Sequence, residues 1–216
     1  MPQLNVLCED RLTDIDECAD EIEDKLSSLK TDKAAGDDNM SPWILKVLSK
    51  EIASPIALIF CKSLDNSQVP RHWRTANVSP LFKKCGKHQV DNYRPVSLTS
   101  QVCMIVEAII RNKTVCHLDK NNLIRNSQHG FRKGYSCASN LLVFLESVTA
   151  SIDAKQNVDT IYLDLAKAFD EVPHNRLIQK LKVHGTDVLI CNSIISWLTD
   201  RWQRVVCLDG SHSSWK

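Results

Sequence analysis

The chain has 216 residues, of which 43% are hydrophobic and 25% charged, and this composition is typical of a globular protein with a buried core. Only 6 glycines and 7 prolines occur, and no apolar run reaches about 18 residues, so collagen-like, disordered and membrane-spanning classes are excluded. The first residues carry no secretory signal, and the 9 cysteines are irregularly spaced. We therefore expect reduced thiols and a location in the cytoplasm or nucleus.

Charge is distributed unevenly, although the net charge is only +1. Residues 9–38 hold 12 acidic and 4 basic side chains, whereas residues 71–133 hold 12 basic and 3 acidic ones. Aromatic residues are interspersed in the basic segment, and single-stranded nucleic acids bind surfaces that combine cations with stacking rings. The segment is thus a candidate nucleic-acid surface, although an excess of charge alone is equally typical of a solvated face.

Two helices are predicted in the first part of the chain. Apolar residues in Asp14–Lys30 recur every three or four positions, which is the period of one helical face. A loop follows, and Pro42 suits the first turn of a second helix that runs toward Leu64 with a bend at Pro55.

The basic segment begins with a predicted hairpin. Ala76–Lys84 and Arg94–Thr99 have the composition of short strands, and the polar stretch Cys85–Tyr93 lies between them. Cys85 and His88 form a Cys-x-x-His pair, but zinc normally requires four ligands and no second pair is evident.

The remaining elements mix helices and strands without regular alternation, which favours an α+β fold. Asn157–Leu165 is predicted to be a buried strand that ends near an acid, and Gln203–Leu208 a last strand. Helices are predicted at Gln101–Leu118, Ser139–Ala154, Pro173–Gly185 and Val188–Leu198.

Asp164 is the most informative single residue. The apolar strand predicted before it would deliver its carboxylate to a strand end, where an unpaired charge is costly. Magnesium prefers hard oxygen ligands, and the backbone carbonyl of Leu165 could supply a second one. An ion pair with Lys167 is the structural alternative, and the residues alone leave both interpretations open.

The segment YLDLAKAFDEVPH at Tyr162–His174 resembles the first catalytic motif of reverse transcriptases from non-LTR (LINE-type) retrotransposons. Further motifs resemble the same family in the expected order, so the resemblance extends over residues 14–216. These motifs are KAAGDDNMSPWILK at Lys33–Lys46, NYRPVSLTS at Asn92–Ser100, QHGFRKGYSC at Gln128–Cys137 and ISWLTDRWQRVV at Ile195–Val206.

The resemblance implies a role for individual residues. Asp164 matches the first metal-binding aspartate, with the Leu165 carbonyl beside it, and the implied cofactor is Mg²⁺. Phe169 matches the aromatic residue that walls the nucleotide sugar pocket. Lys83 and Arg94 match residues that hold the incoming triphosphate, and Arg132 lies in a segment near template and nucleotide. Without the resemblance, these residues would be interpreted as core packing and surface charges.

The resemblance also implies a right-hand polymerase architecture, with a fingers subdomain and the first part of a palm. We expect an acidic helical region at residues 1–32, a fingers-like region at 33–156 and a partial palm at 157–216. The implied partners are an RNA template, a DNA primer and deoxynucleoside triphosphates, with no membrane, and the oligomeric state is not predicted.

One family element has no counterpart in the sequence. The family continues with an aromatic-Ala-Asp-Asp motif, and the only adjacent aspartates here are Asp37 and Asp38, far upstream. A two-metal mechanism needs several carboxylates, so we expect the chain alone not to polymerise. Two alternatives remain open: a non-catalytic nucleic-acid-binding fragment, and a retroelement relic without function, for which poor solubility is expected.

Overall fold

The computed structural model of the protein describes residues 7–13, 15, 19–207 and 209–216. The chain divides into two compact units. Unit 1 comprises the chain up to His117 together with His174–Lys216, and unit 2 comprises Leu118–Pro173. Unit 1 is therefore discontinuous in sequence, with unit 2 inserted between its two parts.

Helices and one small sheet occur together, as the predicted mixture of α and β structure requires. The predicted helices are confirmed within a few residues of their expected ends, although part of the first prediction lies outside the described residues. The helices are α1 (Ala19–Ser27), α2 (Pro42–Val47), α3 (Ser49–Asp65), α4 (Gln101–Lys120), α5 (Cys137–Asp153), α6 (His174–Val183) and α7 (Val188–Leu198).

The helix predicted to run from Pro42 toward Leu64 is interrupted at Leu48 and not at Pro55. Leu48 adopts φ −94° and ψ 17°, and its carbonyl begins α3 by accepting hydrogen bonds from the backbone of Glu51 and Ile52 at 3.1 and 3.0 Å. Pro55 lies inside α3. The proline is tolerated because it and Glu51, whose carbonyl loses its partner, are both exposed to water.

The core of unit 1 forms where the inner faces of its helices meet. Ile22 and Leu26 of α1 are fully buried, as are Val106 and Ile109 of α4, and Phe60 of α3 is 1% exposed. The spacing of these residues places each pair on one helical face. Full burial of one such side chain contributes about 1.5–3 kcal/mol relative to its exposure, so this core stabilises unit 1.

The sheet of unit 1 has the strand order β2-β1-β3. The strands are β1 (Thr75–Phe82), β2 (Tyr93–Leu98) and β3 (Trp202–Val205). The β1 and β2 strands pair antiparallel and form the predicted hairpin, whereas β3 pairs parallel to β1 on the other side. All three strands correspond to predicted ones, and the central strand joins the hairpin to the C-terminal part of unit 1.

A strap formed by residues 7–12 holds the turn that follows α6. The amide of Leu12 donates to the carbonyl of Gly185 at 2.9 Å, and the amide of Asp187 donates to the carbonyl of Leu12 at 3.1 Å. Gly185 closes α6 with φ +88°, and a Cβ at this position would clash with the backbone carbonyl oxygen of Asp10 and lie 3.0 Å from Nε2 of His117. Glycine is therefore required both by the backbone conformation and by the close approach of the strap backbone.

Unit 2 has a helix but no buried residue among Leu118–Pro173. Leu142 and Val143 of α5 are 66% and 54% exposed. The strand predicted at Asn157–Leu165 is wrong, because this segment has no regular secondary structure and is exposed throughout. A strand forms only where a neighbour accepts its hydrogen bonds, and no described strand pairs with this segment.

Within the described ranges, no helix has the length and apolar character that crossing a membrane would require.

Candidate nucleotide and nucleic-acid site

Lys83 and Arg94 are brought together by the hairpin. Arg94 lies opposite Leu81 in the register of β1 and β2, and the amide of Lys83 donates to the carbonyl of Asn92 at 2.8 Å. Because side chains alternate along a strand, Lys83 and Arg94 are diagonal neighbours on one face, where Cβ atoms are typically about 7–8 Å apart. A point charge and a planar guanidinium at this spacing suit a polyphosphate.

The connection between β1 and β2 is ordered by its own side chains. Phe82 and Tyr93 meet edge to face, with ring centroids 5.5 Å apart. The ammonium of Lys87 lies 5.8 Å from the centroid of the Phe82 ring, and the hydroxyl of Tyr93 donates to the carbonyl of Lys87 at 3.0 Å. The side-chain amide nitrogen Nδ2 of Asn92 donates to the carbonyl of Gly86 at 2.8 Å. The basic connection between β1 and β2 is thus a structured surface.

The cations of the hairpin are available to a ligand. Lys83, Lys84, Lys87 and Arg94 are all exposed. None of the four has a carboxylate within ion-pair distance in the part of the chain that the structure describes. Because none of the described acids pairs with them, their combined field favours an anionic partner.

A polar network anchors the loop of the motif at Lys33–Lys46 to the sheet. Asp37 accepts a hydrogen bond from the hydroxyl of Thr75 at 3.0 Å and lies 3.7 Å from the guanidinium of Arg204. Arg204 also donates to Asn77 at 2.8 Å and stacks on Trp215, with its guanidinium carbon 4.6 Å from the ring centroid. Sequence reasoning missed this network, because it joins side chains from distant loops and strands.

In α4, Glu107 is a partly buried acid that sequence reasoning also missed. Burial raises the pKa of Glu107, and the nearby guanidinium of Arg201 opposes that shift. Burial likewise raises the pKa of the Cys103 thiol, whose sulfur donates to the carbonyl of Trp73 at 3.3 Å. The thiol is therefore protonated and unsuited to act as a nucleophile. The only available signal was one acid in the otherwise apolar first turns of α4.

In unit 2, Arg132 is held by neighbouring groups. Its Nε lies 3.3 Å from a carboxylate oxygen of Asp119, and its guanidinium carbon lies 4.6 Å from the centroid of the Tyr135 ring. The side chain is 17% exposed. Any contact between Arg132 and a nucleotide would compete with the ion pair to Asp119.

Phe169 lies against the motif that contains Arg132. Its ring meets the ring of Phe131 edge to face, with centroids 5.8 Å apart, and both rings are highly exposed. Phe131 and Lys167 both have positive φ, 59° and 51°, so each ring-bearing segment contains a strained turn. Two of the resembling motifs thus meet within unit 2.

Asp164 and Leu165 lie in the exposed segment without secondary structure. No ion pair joins Asp164 to Lys167, so the structural alternative for this carboxylate is not observed. The described residues include no cluster of three or more histidine, cysteine, aspartate or glutamate side chains that could hold a metal ion. One carboxylate and one carbonyl fit part of a Mg²⁺ coordination shell but do not complete it.

The comparisons with known proteins agree with the motifs. A family model described as reverse transcriptase (RNA-dependent DNA polymerase) matches residues 83–214, which is more than half of the chain. This match covers the hairpin cations, Arg132 and the Asp164 segment.

Curated relatives come from mobile elements. The chain is 29% identical over 165 residues to the "Probable RNA-directed DNA polymerase from transposon BS" and to the RNA-directed DNA polymerase from mobile element jockey, both of Drosophila melanogaster. It is 21% identical over 132 residues to the retrovirus-related Pol polyprotein from type-1 retrotransposable element R2 of Popillia japonica. The matches cover 76%, 76% and 61% of the chain but 18% of each relative. The resemblance to non-LTR reverse transcriptases is therefore confirmed, and the chain belongs to the reverse transcriptase family.

Proposed function

We propose that the chain provides the nucleotide-contacting part of an RNA-directed DNA polymerase. The observation that carries the proposal is the pair Lys83 and Arg94, two exposed cations on one face of a hairpin within the family match, with no acidic partner among the described residues. In this role they hold the triphosphate of an incoming deoxynucleotide, while a primer end and an RNA template lie nearby.

The remaining site residues follow from the same proposal. Asp164 and the Leu165 carbonyl hold Mg²⁺ in part, and the ion stabilises negative charge on phosphate oxygens when bound. Phe169 walls the sugar of the nucleotide, and its contact with Phe131 supports an aromatic wall at this point. Arg132 exchanges its ion pair with Asp119 for a nucleotide or template phosphate.

The finer architecture is also a proposal. We assign residues 1–32 to an acidic helical region, 33–156 to fingers and 157–216 to the first part of a palm. The family match supports the palm assignment, because it includes residues 157–214.

The activity of the chain is tested by primer extension on an RNA template. Because the described residues provide only part of a metal site, we expect no template-dependent incorporation by the purified chain. Robust incorporation that disappears in Asp164→Ala would contradict this expectation. Incorporation that persists in Asp164→Ala would point to a contaminating polymerase.

A non-catalytic nucleic-acid-binding role is the second candidate, favoured by the hairpin cations, which pair with no acid in the described part of the chain. Counterion release predicts an affinity for RNA that falls steeply with salt. The single variants Lys83→Gln, Lys84→Gln and Arg94→Gln should each weaken binding and reduce the salt dependence. The exposed Lys50 of α3 lies outside the hairpin, so Lys50→Gln is the matched control. Undetectable or salt-independent binding would contradict the candidate.

A further inference from the structure

The ring of Phe169 has few restraints of its own. It is 78% exposed and lies in a turn outside the helices and strands. In this turn the amides of Asp170 and Glu171 donate to the carbonyl of Lys167 at 2.9 and 3.1 Å. The turn fixes the backbone of Phe169, but a largely exposed ring can still move between staggered rotamers.

The ring of Phe131 favours one of these rotamers. The rings of Phe131 and Phe169 meet edge to face, with an interplanar angle of 88° and centroids 5.8 Å apart. Aromatic pairs prefer this geometry, and such a contact shifts an equilibrium between rotamers by about two- to tenfold. Phe131 therefore holds the neighbouring ring in the observed orientation.

Phe131 is itself firmly placed by its loop. Its φ of +59° is uncommon for an aromatic residue and persists only where the surroundings impose it. Before Phe131, the side-chain Nε2 of Gln128 donates to the carbonyl of Gly130 at 3.0 Å. After it, Arg132 is held by the ion pair with Asp119. The loop thus presents the ring of Phe131 in one direction.

We propose that Phe131 is a positioning residue that holds the ring of Phe169 in the orientation that walls the nucleotide sugar. Without Phe131, the ring of Phe169 rotates away more often, and a ribose with its 2′-hydroxyl is excluded less well. The inference rests on the role proposed above for Phe169 and adds a second residue to the discrimination between deoxyribose and ribose.

Two nucleotides that differ only in the 2′-hydroxyl test the proposal. Isothermal titration calorimetry of the full chain with dUTP and with UTP gives the ratio of the two affinities. Phe131→Ala should lower the preference for dUTP by about two- to tenfold, the factor by which the ring contact favours one rotamer. The change should appear chiefly as tighter binding of UTP, which a merely destabilised loop would not produce. An unchanged ratio would overturn the proposal.

Two further variants show whether the ring itself is responsible. Phe131→Tyr retains an aromatic ring and should retain the preference for dUTP. Phe144 is another exposed aromatic residue of unit 2, on α5, so Phe144→Ala is the matched control and should leave the ratio unchanged. Circular dichroism checks that each variant retains its fold. An equal fall of the ratio in Phe144→Ala and Phe131→Ala would contradict the positioning role.

Phe169→Ala separates this inference from the function proposed above. It removes the wall itself, so it should lower the preference at least as much as Phe131→Ala. The double variant should show no further loss, because the two residues act through one ring. A preference that depends on Phe169 but not on Phe131 would overturn this inference alone. Equal binding of dUTP and UTP by the wild-type chain, or a preference independent of Phe169, would overturn both.

Discussion

The two units differ in how their apolar residues are used. In unit 1, side chains such as Ile22, Phe60 and Val106 are removed from water by helices that meet around a common core. In unit 2, no residue is buried, and Leu142 and Leu163 are 66% and 89% exposed. Both units have apolar sequences, so the difference lies in the availability of partners and not in composition. Stability is generated in unit 1, whereas the proposed catalytic aspartate lies in unit 2.

A substitution of a large apolar side chain should produce the largest difference in the free energy of unfolding between the two units. Phe60→Ala removes a buried ring from α3 and should lower the free energy of unfolding by about 3–5 kcal/mol. Phe144→Ala removes a 37% exposed ring from α5 and should change it much less, by about 1 kcal/mol or below. Urea denaturation measures both. Similar losses for the two variants would mean that unit 2 has a core of its own.

A glycine in each unit provides the second comparison. A Cβ on Gly36 would lie 2.6 Å from the backbone of Thr99 and Ser100, whereas a Cβ on Gly130 would meet only the end of a side chain at 3.5 Å. Gly36→Ala should therefore destabilise the protein by about 1–3 kcal/mol, because the backbone must shift. Gly130→Ala should be close to neutral. Thermal unfolding checks the pair, and a neutral Gly36→Ala would refute the close packing of this loop.

Ion pairs provide a third and smaller comparison. Asp37→Asn retains a group that can bond to Thr75 but loses the attraction to Arg204, and the cost should be about 1 kcal/mol for this partly buried pair. Asp119→Asn, at the ion pair with Arg132 in unit 2, should cost less because Asp119 is 38% exposed. Urea titration at low and high salt measures both variants. A larger loss of stability in Asp119→Asn than in Asp37→Asn would contradict the expectation that the ion pair of unit 1 contributes more.

The smallest expected effect is a pH dependence of the free energy of unfolding, which arises from Glu107 in unit 1. Because burial raises the pKa of Glu107 above its ordinary 4.5, the folded state binds this proton more tightly than the unfolded state. The contribution of Glu107 to the free energy of unfolding is thus present below pH 4.5 and declines as the pH rises through the folded-state pKa. Glu107→Gln should remove this decline, whereas Glu146→Gln on the exposed surface of α5 should leave it unchanged. Urea titrations across this range provide the measurement.

Local patterns were sufficient to predict most elements of unit 1. The apolar spacing of α4 and α7, and the polar stretch between β1 and β2, act over a few residues and are visible in the sequence. The strand at Asn157–Leu165 was predicted from composition alone, but pairing depends on a neighbouring strand. The interruption at Leu48 also escaped prediction, because Pro55 is the stronger local signal and its exposure removes the penalty.

The candidate site was predictable only in part for a related reason. Lys83 and Arg94 are neighbours because a short hairpin joins them, and the hairpin was predictable. The contacts of Asp37 with Arg204 and of Phe131 with Phe169 join segments that are far apart in sequence. Spacing in the sequence contains no information about such contacts, and the roles of Asp164, Leu165, Phe169 and Arg132 remain proposals.

The strand order β2-β1-β3 has a consequence for synthesis on the ribosome. The hairpin can form as soon as β2 is made, but β3 emerges only after α4, α5, α6 and α7 have been translated. Until then one edge of β1 has no hydrogen-bonding neighbour, and closing so long a loop is entropically slow. A nascent chain therefore exposes this edge to other polypeptides for most of its elongation, and chaperone binding during translation should concentrate on β1.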